Sequence, residues 1–238
     1  MIKVQKETGE YILYSPDSLK YITDKMDDIL DSSIAIYKKL FDIERFRKVQ
    51  INYFDNIDDF RGYIYHLRGE KESLPSYAKG TFDEGMINAF IEPNWLVGSP
   101  MYIKKLYLAS HELFHIMYQE LVWNKENKPR IVWFDEGMAQ YFSGEYNYDL
   151  SNENFENWFK TVIKNTKMFP NLNEFETENY SGYRLSLLAV KYLYDKLSIE
   201  EFKKLMHNTD GILRYGSTVL NDAISYYNDK YKKLSKFF

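Results

Sequence analysis

Two of the chain's four histidines frame a five-residue segment, His111-Glu112-Leu113-Phe114-His115. On a helix, positions i and i+4 lie about 40° apart around the axis, so both imidazoles project from one face. Two neutral imidazoles at metal–nitrogen distances near ~2.0 Å can share one zinc ion. Glu112 sits about 100° round the helix from His111, beside such a metal without having to ligate it. A carboxylate there can take a proton from zinc-activated water. The flanks are those of a helix, with Ile103, Leu106, Ser110, Leu113, Met117 and Leu121 as the apolar stripe and the His pair on its border.

Catalytic zinc usually takes three protein ligands and keeps an open position. The chain has no cysteine, so sulfur-ligated zinc, iron–sulfur clusters, disulfides and thiol catalysis are all excluded. The third donor must be another His or a carboxylate. Residues 116–135 separate His115 from Glu136, which stands in Trp133-Phe134-Asp135-Glu136-Gly137-Met138-Ala139-Gln140-Tyr141. Glu136 opens a second helix there. It would also satisfy that helix's dipole, and the two roles are compatible. Trp133 and Phe134 would wedge the helix start into the core, while Gly137 and Ala139 would let it approach the first helix closely. Gln140 and Asp135 are the candidates to hold an imidazole N–H.

HExxH followed at this distance by a (W/F)xEGxAxY segment resembles the gluzincin metallopeptidases, the clan of thermolysin and the aminopeptidase-N group. The wording here is most similar to the small bacterial "peptidase MA-like" proteins. The resemblance implies that His111, His115 and Glu136 are zinc ligands and that Glu112 is the general base. Many gluzincins carry Asn where Asp135 stands, a departure that bears on how the ligands are held. Asn88-Ala89-Phe90 resembles the edge strand with which thermolysin-like enzymes bind the substrate chain, so Asn88 and Ala89 are candidate substrate-binding residues. In the aminopeptidase version of this strand a Glu holds the substrate amine. This chain has Ile87 there, so aminopeptidase specificity is not supported. Tyr180-Ser181-Gly182-Tyr183 resembles the segment whose Tyr opens a helix ahead of an aromatic–Leu pair, here Tyr192-Leu193. That makes Tyr183 the candidate oxyanion donor, with Tyr180 as second choice.

These residues need elements to carry them. Glu10–Tyr14 and Val49–Phe54 read as strands. Pro16 and Asp17 open an amphipathic helix running to about Leu40, and Ile57–Leu67 reads as a second helix. Gly80–Ile91 reads as strand with a turn at Asp83–Gly85. One long helix is expected from about Met101 to Trp123 and another from near Trp133. Only helices follow from Asn152, including one that Ser198 and Glu201 open with a capping box. The expected fold class is α+β. The resemblance adds a zincin-like two-lobed fold: an N-terminal α/β lobe, residues 1–123, holds a small mixed sheet and the active-site helix, and a helical lobe, residues 124–238, brings the third ligand.

Composition narrows the partners. With 31 Lys+Arg against 35 Asp+Glu, no strongly basic face is implied, which argues against nucleic acid. No window has the roughly 18 apolar residues of a membrane span. The first residues carry no apolar stretch of signal-peptide type, so a cytoplasmic monomer is the default expectation, although a secreted mature domain would read the same. Asp and Glu between positions 24 and 31 do not match a calcium loop. His66 and His207 read as surface or internally satisfied histidines. The leading expectation is hydrolysis of a peptide or protein substrate with Zn2+ as cofactor. The alternative, from a different class, is a catalytically weak regulatory protein of the same fold that holds a partner segment in its cleft. The intact Glu112 argues against it, because a pure binder has no need of a base.

Overall fold

The computed structural model describes residues 3–69, 78–83, 85–93, 99–151, 153–164, 171–176 and 180–234. The chain is α+β, as expected. Five strands form one mixed sheet: β1 (Lys3–Glu7), β2 (Tyr11–Ser15), β3 (Val49–Phe54), β4 (Gly80–Asp83) and β5 (Met86–Phe90), in the order β1-β2-β3-β5-β4. β2, β3 and β5 run parallel, and each edge strand pairs antiparallel with its neighbour. The sequence expectation omitted β1, whose KVQKE has no apolar alternation and is largely exposed.

The helices are α1 (Lys20–Leu40), α2 (Ile57–Arg68), α3 (Pro100–Leu106), α4 (Leu108–Tyr118), α5 (Val132–Ser143), α6 (Asn147–Leu150), α7 (Phe155–Val162), α8 (Tyr180–Lys196), α9 (Ile199–Met206) and α10 (Thr209–Leu234). Two compact units account for the chain. The first is Met1–Met117 with Phe142–Glu145, and the second is Tyr118–Tyr141 with Tyr146–Phe238. The division falls between Met117 and Tyr118 near the end of α4, and Phe142–Glu145 at the end of α5 belongs with the first unit.

In the first unit, side-chain alternation assigns the two faces of the sheet. Phe54 and Phe90 meet Phe60 and Ile64 of α2 in one apolar cluster. Asn52, Asn88, Thr81 and Asp83 share that face by register, and Arg68 of α2 binds Thr81 Oγ1 and Asp83 Oδ1, each at 2.5 Å. The opposite face carries Ile51, Tyr53, Ile87, Ala89, Gly80 and Phe82, and α4 lies there. The hydroxyl of Tyr37, on α1, donates to the carbonyl of Ser110 at 2.9 Å, and the Tyr37 and Phe114 rings meet edge-on at 5.4 Å.

The single long helix expected over 101–123 is three pieces. Ser99 caps α3, accepting from the Tyr102 amide. Tyr107 closes a tight turn onto the Lys104 carbonyl, and α4 starts afresh. Beyond Tyr118 the backbone widens into a π-helical turn over Gln119–Asn124, the kind of local rewinding that often accompanies functional sites. In the second unit, Ser198 and Glu201 form the expected capping box at α9.

Candidate metal centre

In the first unit, α4 carries both imidazoles. His111 Nε2 and His115 Nε2 face one another at 3.1 Å, with the rings edge-on. Two nitrogens ~2.0–2.1 Å from one ion and subtending a tetrahedral angle lie about 3.3 Å apart, so the pair fits a shared ion. The orientation of His111 is set from behind. His111 Nδ1 lies 3.1 Å from Glu145 Oε2, and since a carboxylate only accepts, Nδ1 carries a proton, so that in the neutral imidazole Nε2 presents its lone pair. Glu145 arrives there because α5 ends at Ser143. Gly144 then takes a left-handed conformation, φ 83°, and the Glu145 amide donates to Ser143 Oγ at 3.2 Å. Sequence reasoning offered Gln140 and Asp135 for this task and passed over Glu145. Ser-Gly-Glu directly after a helix is the signal that could have found it.

His115 is buried, with Phe82 of β4 stacked on its ring at 5.5 Å. Glu112 is 9% exposed. A Cβ on Gly80 would lie 3.0 Å from its Oε1 and 2.8 Å from Leu108 Cδ1, so the carboxylate rests directly against the backbone of β4.

Asn88 and Ala89, the candidate substrate-binding residues, lie on β5. β5 is an interior strand, hydrogen-bonded to β3 on one side and β4 on the other, and both residues are 0% exposed. The Asn88 side chain faces α2, where its Oδ1 accepts from Asn52 at 2.8 Å, away from Glu112. The edge is β4. The Phe90 amide donates to the Lys79 carbonyl at 2.7 Å. In the alternation of an antiparallel ladder, residues 79, 81 and 83 therefore point their backbone groups at β5. Gly80 and Phe82 turn theirs outward, beside Glu112 and His115.

In the second unit, α5 begins with Trp133 and Phe134 fully buried, as expected. The next two residues are buried carboxylates, Asp135 at 0% and Glu136 at 4% exposure. Arg130 serves both, with Nε 2.8 Å from Asp135 Oδ2 and Nη2 2.6 Å from Glu136 Oε1. Burial works against the Arg130 charge, but the two carboxylates more than offset it and hold its pKa above the ordinary value. Gly137 does permit a close approach, to α8: a Cβ there would lie 2.5 Å from the Ser186 carbonyl oxygen. The Gln140 side-chain amide donates to the carbonyls of Glu136 and Tyr183, both at 3.0 Å. It thus ties the backbone of α5 to that of Tyr183, the candidate oxyanion donor. The half-buried Tyr183 ring packs edge-on against Phe175 at 5.3 Å. The side chain of Tyr180 lies outside the described residues.

Among the described residues, His111, His115 and Glu136 form a group whose ligand atoms lie within 4.8 Å of one another. Two imidazole nitrogens and a carboxylate oxygen are a zinc donor set. No protein-family model matches the chain, and no curated protein matches it.

Proposed function

We propose that this chain is a zinc-dependent peptidase of gluzincin type with a zincin-like fold. The reading is carried by one arrangement: two imidazole Nε2 atoms converge on the helix that also presents a buried carboxylate, Glu112, to β4, the edge strand of the sheet among the described residues. His111, His115 and Glu136 would hold the ion. When bound, zinc would supply a Lewis acid that polarises a carbonyl and lowers the pKa of water.

The chain's own groups do the rest. The outward N–H and C=O groups of Gly80 and Phe82 pair with an extended substrate segment, as an unpaired strand edge does. Glu112 accepts a proton on its carboxylate and returns it to the leaving nitrogen. Its low exposure keeps bulk water from screening that exchange. The Tyr183 phenol donates a hydrogen bond to the oxygen on which charge develops. Gln140 keeps Tyr183 in step with Glu136 through backbone contacts alone, so the donor can be lost without disturbing the ligand.

The test is cleavage of a mixed peptide library by protein stripped with chelator and then reloaded with zinc. Cleavage should vanish on stripping and return with about one zinc per chain. A fully loaded protein that cleaves nothing yet retains peptides would instead identify a binding module.

A further inference from the structure

Glu136 does not stand alone, and the residues behind it form a chain of contacts within one segment. The π-helical turn at Gln119–Asn124 buries Trp123. The Arg130 guanidinium lies over the Trp123 ring, its central carbon 5.6 Å from the centroid. The same guanidinium reaches Asp135 through Nε at 2.8 Å and Nη2 at 2.7 Å, both to Oδ2, and Glu136 Oε1 through Nη2 at 2.6 Å. A guanidinium that lies over an aromatic ring and is hydrogen-bonded to two buried carboxylates has little freedom to rotate. Its fork therefore sets where both carboxylates point.

We infer that Arg130, held by Trp123, is the positioning residue for the third metal ligand. It commits Glu136 Oε1 to a hydrogen bond and so fixes the rotamer in which the carboxylate meets a metal, while Asp135 anchors the other arm of the fork. The inference rests on the reading of Glu136 as a ligand and deepens it. It gives Asp135 a task, holding the guanidinium. A purely structural Arg130 would neutralise two buried charges and affect stability only. A positioning Arg130 also alters the geometry at the metal.

The experiment uses the full chain, stripped and titrated with Zn2+ against a chromophoric chelator, and in parallel loaded with Co2+ as a spectroscopic probe. Arg130→Gln should weaken zinc binding by roughly 10–100-fold, the usual effect of losing a group that orients a ligand. It should also change the visible Co2+ absorption bands, because the Glu136 carboxylate is then free to bind in another mode. Arg130→Lys keeps the charge without the fork and should restore stability more fully than the Co2+ spectrum. Trp123→Leu should loosen binding in the same direction by a smaller factor, and it carries the test if Arg130→Gln does not fold. Wild-type affinity and spectrum in Arg130→Gln, or in both Arg130→Lys and Trp123→Leu, would overturn the inference while leaving the metal site standing. Failure of the wild-type protein to bind either ion would overturn the metal reading, and the inference with it.

Discussion

Glu112 and Glu136 are chemically identical side chains in different surroundings, and the proposal gives them different work. Glu136 has an arginine on one oxygen, the environment of a fixed anion. Glu112 rests against the backbone of Gly80. Replacing Glu112 by Gln should therefore leave zinc stoichiometry intact and lower kcat by on the order of 10²–10⁴, the range of general acid–base catalysis. Tyr183→Phe should lower kcat by about 10²–10³ with little change in KM, since the phenol contact strengthens only in the transition state. Full activity in the first variant would end the peptidase mechanism; full activity in the second would end only the Tyr183 assignment. Glu145 adds a third carboxylate role. Glu145→Ala removes the acceptor that fixes the His111 tautomer and should weaken zinc by roughly 10–100-fold, whereas Glu145→Gln, which keeps an accepting oxygen, should recover most of that loss. Equal affinity in all three proteins would show that His111 needs no such partner.

The pairing of His111 and His115 was readable because helical geometry converts i, i+4 directly into a shared face, whereas Glu136 was reached through the resemblance of its segment to the gluzincin pattern. The strand that packs beside the histidine helix was not readable. Asn88-Ala89-Phe90 has the stronger apolar character, and that marks an interior strand. The edge segment Gly80-Thr81-Phe82-Asp83 is short and mixed, and only the hairpin register shows that its outward groups belong to Gly80 and Phe82. The break at Tyr107 was equally hidden, since the apolar stripe runs on across it. Glu145 escaped because an acceptor positioned by a left-handed glycine leaves no periodic trace. The close contact at Gly80 yields a specific expectation. In Gly80→Ala the new methyl must displace either Leu108 or the Glu112 carboxylate, at 2.8 and 3.0 Å. Zinc content should be retained while kcat falls, and the melting temperature should drop slightly. An unchanged kcat would mean that Glu112 can step aside without cost, and that its seat on β4 is not part of the chemistry. Tyr37→Phe probes the other side of α4. It leaves the Ser110 carbonyl without its buried donor and should cost about 1–3 kcal/mol in denaturant unfolding, with kcat per folded molecule unchanged.

For the chain as a whole, a charge of −4 and, among the described residues, no helix long and apolar enough to cross a membrane leave the candidate metal centre as the most specific chemical feature. Its energetic signature should be visible without any substrate. An ion that binds the folded chain and not the unfolded one stabilises it by RT ln(1 + [L]/Kd), about 2.7 kcal/mol at a hundredfold excess over Kd. For a chain of 150–250 residues each kcal/mol moves the midpoint by about 2–4 °C. Zinc should then raise the melting temperature of the stripped protein by roughly 5–10 °C. His115→Ala, with one imidazole of the pair gone, should remove most of that shift, and Glu136→Ala should do the same. Glu112→Gln should keep it in full, because the base is not a ligand. The three variants together separate holding the metal from using it. A zinc-induced shift that survives in both His115→Ala and Glu136→Ala would place the ion elsewhere on the chain. A shift lost in Glu112→Gln would make Glu112 a ligand and leave the proposed chemistry without its base.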